Sequence, residues 1–155
     1  MELISRLFIF ALFFVSCSSN TVFEDYKSFE NQSWNADSSL SFNYSVRDTT
    51  SQNQLTIKVR HTVDYEYQNL FLFVSRSDGQ MDTLEILLAN KEGMWLGKGI
   101  GDVREFEFDY EQVVFSKKGN HTLQIEQAMR YGKLEKIQNL NHISAIGLSI
   151  QKQDE

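Results

Sequence analysis

The stretch Leu40-Ser41-Phe42-Asn43-Tyr44-Ser45-Val46 decides the fold class, because apolar and polar side chains alternate along it without a break. Successive side chains of a β-strand point to opposite faces, so a period of two indicates a strand with one buried face and one face in water. A helix would instead repeat its apolar residues every three or four positions. We therefore predict a half-buried strand over these seven residues.

Similar patterns recur through the rest of the chain, which extends the prediction to an all-β protein. Further apolar segments that match strands are Leu55-Ile57-Val59, Leu70 to Val74, Leu84-Ile86-Leu88, Phe106-Phe108-Tyr110, Leu123-Ile125 and Ile146-Leu148-Ile150. Turn residues separate these segments, and proline is absent. We predict an antiparallel β-sandwich of about eight short strands, jelly-roll or immunoglobulin-like. Ala128 to Leu140 is left open as a short helix or a long connection.

Length and charge exclude several classes of function. The 155 residues, 41% of them hydrophobic, suit one globular domain. A net charge of -6 argues against nucleic acid, whose binding needs clustered basic residues. The single cysteine excludes an intrachain disulfide, and His61, His121 and His142 lack the close spacing of a zinc site. We expect no metal, no cofactor and no small-molecule substrate.

The first 17 residues have the order of parts of an export signal. The apolar run from Leu7 to Val15 follows Arg6 and is about 13.5 Å long as a helix, too short for a hydrocarbon core of about 30 Å. Phe14-Val15-Ser16-Cys17 resembles the lipobox cut by bacterial lipoprotein signal peptidase. We predict a lipoprotein signal peptide over residues 1–16 and covalent lipid at Cys17; the alternative is an ordinary secretory signal with an incidental cysteine.

The predicted lipid determines the cellular location of the protein. Several acyl chains, palmitate among them, hold a protein to a bilayer, whereas one chain binds only reversibly. Ser18 is not the aspartate that retains lipoproteins in the inner membrane, and Ser18-Ser19-Asn20-Thr21 carries no acidic export cluster. These features favour the periplasmic face of the outer membrane. We divide the mature chain into a lipid-anchored segment, residues 17–38, and a β-sandwich domain, residues 39–155.

No motif in the sequence supports catalysis. The glycine-rich stretch Trp95 to Asp102 leads into another strand instead of the helix N-terminus that a phosphate loop requires. Glu105, Glu107 and Asp109 alternate along one strand, which fits a solvated outer face better than an acid pair or a cation site. No serine, cysteine or histidine stands in a nucleophile context.

Several segments together resemble the gliding-motility lipoprotein GldH family of the Bacteroidetes. The most specific are Trp95-Leu96-Gly97-Lys98-Gly99-Ile100-Gly101-Asp102 and Glu126-Gln127-Ala128-Met129-Arg130. The others are Val22–Lys27, Trp34 with the strand after it, Asp64–Leu72, Asp82–Glu85, Leu88–Met94, Gly119–Thr122 and Ile146–Ile150. The resemblance implies a non-enzymatic envelope lipoprotein, required for gliding and linked to type IX secretion, that supports partner proteins at the membrane.

Two candidate contact surfaces follow. The first is the glycine loop with part of the second motif, namely Trp95, Gly97, Gly99, Gly101, Asp102, Gln127 and Arg130. Glycines permit close backbone approach, and Trp and Arg concentrate binding energy. The alternative is that Trp95 plugs one end of the sandwich and Arg130 pairs with Asp102.

The second surface is the aromatic pair Phe71 and Phe73, which alternate with the other apolar residues of their strand and so point to its opposite face. Either N-terminal aromatic side chains fold over this pair, or a partner covers it.

A different class of function stays open, because β-sandwiches with exposed tryptophan often bind carbohydrate. A flat, solvent-facing Trp34 or Trp95 would favour such a module, whereas a buried ring would favour packing.

Overall fold

A computed structural model describes residues 20–133 and 135–153, which form ten β-strands. In chain order they are β1 (Thr21–Ser28), β2 (Ser33–Asn35), β3 (Leu40–Val46), β4 (Asn53–Thr62), β5 (Asn69–Arg76), β6 (Met81–Leu87), β7 (Val103–Val113), β8 (Gly119–Gln127), β9 (Asn139–Asn141) and β10 (Ile143–Lys152). The helical content of the described residues is one 3-10 turn, Glu30–Gln32. Between Ala128 and Leu140 the described residues form a connection and the short β9, without a helix.

Eight long strands make two four-stranded sheets, in the orders β1-β10-β4-β7 and β3-β8-β5-β6. Every neighbouring pair is antiparallel. The short strands β2 and β9 pair separately. The predicted antiparallel sandwich is confirmed, and this strand order is that of a jelly roll rather than an immunoglobulin domain.

The core lies between the two sheets and uses the alternation seen in the sequence. Along β3, Phe42, Tyr44 and Val46 are buried while the residues between them face water. The other strands contribute the buried side chains of Leu55, Ile57, Val59, Leu70, Leu72, Val74, Ile86, Leu123, Ile125, Ile146, Leu148 and Ile150. Burying one such side chain contributes about 1.5–3 kcal/mol to the free energy of folding. The apolar residues at every second position are therefore the ones that hold the two sheets together.

The sandwich already begins at Thr21, within the segment 17–38 that we separated above from the domain. β1 pairs with β10 along nearly its full length, and Trp34 is completely buried. This edge strand was not evident from the sequence, because Asp25 and Lys27, on either side of Tyr26, stand where apolar residues are expected. The two side chains form an ion pair with each other (2.7 Å).

The sandwich has two unlike ends. The N-terminal end holds the start of β1, the last residues of β10 and the short turns 47–52, 77–80 and 114–118. The loop end holds the long connections 63–68, 88–102 and 128–138. The side chains proposed for partner contact all belong to, or lie near, the loop end.

Residues 1–19, Leu134 and the last two residues are outside the described part of the chain, so the signal peptide and Cys17 stay predictions. Within the described part, no helix is long and apolar enough to cross a membrane.

Candidate functional site

The glycine loop folds back onto the start of β7. Lys98 and Glu105 exchange two backbone hydrogen bonds, with N–O distances of 2.9 Å and 2.8 Å. A Cβ atom on Gly97 would lie 2.7 Å from the Glu105 carbonyl oxygen, and one on Gly99 would lie 1.9 Å from that of Val103. Gly101 adopts a left-handed φ of 62°. The close backbone approach that we assigned to a partner therefore occurs within the chain itself.

Trp95 closes the loop end of the core. Its ring lies 4.6 Å from the His61 ring and 6.5 Å from the Tyr65 ring, between centroids, and the side chain is half-buried. Its backbone forms an isolated bridge with Ala89. This is the packing role that we gave above as the alternative to partner contact.

His61 is fully buried beneath Trp95. Its Nδ1 lies 2.8 Å from the Thr62 carbonyl oxygen, so this nitrogen carries the proton and donates it. Nε2 is buried without a hydrogen-bond partner among the described residues. Burial lowers the pKa of His61, because the charged form would lose its hydration. The imidazole is therefore a neutral core group.

Gln127 is a structural residue and not part of a contact surface. It is 5% exposed. Its side-chain nitrogen donates to the Ile137 carbonyl (2.7 Å), and its side-chain oxygen accepts from the Met129 backbone N–H (3.0 Å). These bonds fasten the connection 128–138 to β8. The prediction of partner contact by Gln127 is corrected, since a side chain enclosed in this way cannot reach another protein.

Arg130 is exposed and makes no ion pair within residues 20–133 and 135–153. Asp102 is also exposed, and its backbone carbonyl accepts a hydrogen bond from the Val63 N–H (2.8 Å). The proposed pairing of Arg130 with Asp102 is therefore not formed. Arg130 instead lines a groove of about 320 Å³ together with Phe71, Phe73, Thr83 and Ala128.

The N-terminal aromatic side chains do not cover this groove. Phe23 packs on Tyr44 (5.7 Å between ring centroids), and Phe29 stacks on Trp34 (5.1 Å). Phe73 stays 42% exposed. The structure thus joins Arg130 to the predicted aromatic pair, and separates both from the packed side chains of the glycine loop.

Sequence reasoning missed the apolar side chains that project from the glycine loop and from Met94 directly before it. Ile100 is 95% exposed, Met94 63% and Leu96 47%. We call Met94, Leu96 and Ile100 the apolar loop set. Bulky apolar residues beside glycines in a predicted loop were the available signal, because an exposed loop normally carries polar side chains.

The acidic residues of β7 are matched by neighbouring side chains on the outer face of the sheet. Glu105 binds Arg60 through Oε2 (2.6 Å), and Glu107 lies 3.3 Å from the Lys58 ammonium. Although burial opposes the charged form, hydrogen bonds to Glu24 and Glu107 raise the pKa of Lys58. The pattern fits the solvated face that we inferred and offers no free carboxylate pair.

Neither tryptophan forms a platform for a sugar ring. Trp34 has no exposed surface, and its indole N–H donates to the Ser38 carbonyl (3.1 Å). Trp95 packs on His61 and Tyr65 as described above. The positions of the two tryptophan rings therefore favour a packing role over carbohydrate binding.

The fold defines an all-β jelly-roll protein in which, among residues 20–133 and 135–153, the most exposed large apolar side chain is Ile100 on the glycine-rich loop. A sequence model described as GldH lipoprotein matches residues 21–150, which is nearly the entire sandwich. The chain belongs to this lipoprotein family, as the sequence motifs predicted. It is thus a cell-envelope lipoprotein involved in gliding motility.

Two relatives match along almost their whole length. The gliding motility lipoprotein GldH homolog of Christiangramia forsetii is 37% identical over 155 residues, covering 96% of this chain and 94% of the relative. The gliding motility lipoprotein GldH of Flavobacterium johnsoniae is 33% identical over 153 residues, covering 96% and 95%.

Solved structures resemble the chain only distantly. A family GH115 4-O-methyl-α-glucuronidase matches with a TM-score of 0.43 and 10% identity, over 79% of this chain and 14% of the enzyme. A CBM35 module in complex with a glucuronic acid-containing disaccharide matches with a TM-score of 0.38 and 13% identity, over 90% and 96%. These similarities are too low to carry an inference about ligands.

Proposed function

We propose that this chain is a non-enzymatic outer-membrane lipoprotein, facing the periplasm, that gliding motility requires. In this proposal it is linked to type IX secretion and acts as a membrane-tethered scaffold for other envelope proteins. The observation that carries the scaffold role is the apolar loop set, exposed at the loop end of the sandwich.

The position of this set relative to the anchor supports a protein partner. The four residue steps from Cys17 to Thr21 span at most about 14 Å, so lipid on Cys17 keeps the N-terminal end close to the bilayer. An eight-residue strand such as β1 is about 27 Å long, and the loop end lies beyond its far side. The apolar loop set therefore lies at the end of the sandwich opposite the anchor, where other envelope proteins can reach it.

The tether also explains how a small contact can suffice. A membrane anchor restricts this chain and its partners to a thin layer, which raises their effective concentration without adding contact area. The set then needs to supply only a modest affinity through burial of Ile100 and its neighbours, at about 25 cal/mol per Å² of apolar surface.

The test is affinity capture of the tagged lipoprotein from its native envelope, comparing Ile100→Asp with Met81→Asp. Both side chains are exposed, at 95% and 78%, and Met81 lies on β6 away from the loop end. Each change should alter stability by less than about 0.5 kcal/mol, since neither residue is packed. Ile100→Asp should abolish partner capture and colony spreading, whereas Met81→Asp should preserve both. Normal capture and spreading with a folded Ile100→Asp protein would remove the apolar loop set from consideration.

A further inference from the structure

The N-terminal end of the sandwich carries three exposed basic side chains on its turns. Arg47, Lys117 and Lys118 are exposed on the turns 47–52 and 114–118. None of the three makes an ion pair within the described residues. We call these three residues the cationic set.

Three acidic residues described at this end, Asp48, Asp78 and Glu111, are already engaged. Asp78 and Glu111 both bind Arg76. Asp48 accepts hydrogen bonds from Ser51 and Thr50 and binds Lys152 (3.2 Å), and these bonds lower the pKa of its carboxyl. Arg76 with its two carboxylates leaves one negative charge, so the cationic set still makes these described side chains net positive, although the whole chain has a net charge of -6.

Apolar surface accompanies the positive charge. Val114 is 52% exposed on the same turn as Lys117 and Lys118, and Val22 is 47% exposed at the start of β1. A cleft of about 530 Å³ opens at this end. It is lined by Val22, Ser45, Val46, Arg47, Asp48, Asn53, Phe115 and Lys152.

We propose that the N-terminal end docks on the anionic phospholipid surface of the membrane that holds the lipid of Cys17, with Arg47, Lys117 and Lys118 contacting head-group phosphates. This inference rests on the lipid attachment proposed above. The tether alone confines this end to the neighbourhood of the bilayer without fixing its orientation. An anionic surface attracts the cationic set and repels the net negative charge of the rest of the chain, so the domain stands with its loop end outward.

Two acidic residues oppose this contact. Asp154 and Glu155 follow β10 closely in sequence and lie outside the described residues. Each places a negative charge within a few residues of Lys152, so ending the chain after Gln153 should strengthen docking.

The experiment uses the acylated full chain in nanodiscs and exploits its single cysteine. Because lipid occupies Cys17, a cysteine introduced elsewhere is the only reactive thiol. Ser116→Cys places a fluorophore in the turn 114–118, and Glu92→Cys places the same fluorophore in the exposed connection 88–102. A nitroxide on the lipid head group then reports which end lies at the membrane.

Quenching should be strong at position 116 and weak at position 92 in phosphatidylglycerol nanodiscs. Quenching at 116 should fall in phosphatidylcholine and at high salt, since the Debye length shrinks from about 8 Å at physiological ionic strength to about 3 Å at 1 M. Each cation near such a surface contributes about a five-fold change in the ratio of docked to undocked protein. The double variant Lys117→Gln/Lys118→Gln should therefore reduce that ratio roughly 25-fold. The matched control Lys91→Gln/Lys133→Gln, which removes two exposed lysines from the loop end, should leave it unchanged.

Quenching at 116 that is indifferent to lipid charge, salt and the Lys117→Gln/Lys118→Gln change overturns the docking. If the chain is nevertheless acylated by mass spectrometry, and partner capture depends on Ile100, the proposed anchor and scaffold role stand while the docking fails. A parent chain whose Cys17 reacts with a thiol reagent and which washes off the membrane counts against both proposals.

Discussion

Replacing Gly99 with alanine should destabilise the protein because the added Cβ atom has no room. It would lie 1.9 Å from the Val103 carbonyl oxygen and 2.9 Å from the carbonyl carbon. Both atoms belong to the backbone, so rotation of a flexible side chain cannot relieve the clash. The glycine loop must move away from β7.

The cost follows from what this movement breaks. The two backbone hydrogen bonds between Lys98 and Glu105 are next to the clash, and each contributes about 0.5–1.5 kcal/mol net. Partial relaxation leaves residual strain of about 1 kcal/mol, at the low end for overpacking. We expect Gly99→Ala to lower the free energy of unfolding by about 2–4 kcal/mol, from these two contributions together.

Gly101→Ala is the matched control in the same loop. A Cβ atom there meets no heavy atom within 4 Å, although φ is +62°. The expected cost is only the left-handed conformation of an alanine, about 1–2 kcal/mol. Urea denaturation followed by tryptophan fluorescence measures both variants, and hydrogen exchange of the Lys98 and Glu105 amides locates the damage. Equal stability of the two variants, with both amides still protected in Gly99→Ala, would refute this account of the loop.

The remaining predictions concern the anchor, the core and the groove. Cys17→Ala should yield a chain that is neither acylated nor retained at the membrane, and full retention after a high-salt wash would contradict lipid anchoring. Trp34→Ala should cost about 3–5 kcal/mol in thermal or urea unfolding, because the ring is completely buried; a loss below 1 kcal/mol, well under that range, would contradict its place in the core. Gln127→Ala should cost about 1–3 kcal/mol by leaving the Met129 N–H and Ile137 carbonyl unpaired, whereas Arg130→Ala should change stability by less than about 0.5 kcal/mol. His61 is held neutral in the folded state, so the unfolded state binds the extra proton and stability should fall as pH drops below about 6.5, the ordinary histidine pKa. The His61→Gln variant should lose less stability than the parent between pH 7.5 and pH 5.5, roughly one unit on each side of that pKa. An identical pH dependence of the two proteins would argue against a neutral buried His61.

The sequence by itself determined the class of fold and the family. Alternation along β3, β4 and β8 followed directly from the burial of one sheet face, which is a local property of the chain. Edge strand β1 escaped notice because the Asp25–Lys27 ion pair occupies positions at the margin of the core. A strand with this polar pattern can be recognised only when the strand that it pairs with is known.

The tertiary structure decided which residues of the candidate site face outward. Gln127 and Arg130 are three positions apart in one motif, yet the first is enclosed by the connection 128–138 and the second lines an open groove. The glycines of the loop looked suited to another protein's surface, but β7 of the same chain takes that place. The exposure of a side chain, and the charged groups that lie beside it, depend on which distant segments pack together. For that reason the apolar loop set and the cationic set at opposite ends of the sandwich emerged only from the folded chain.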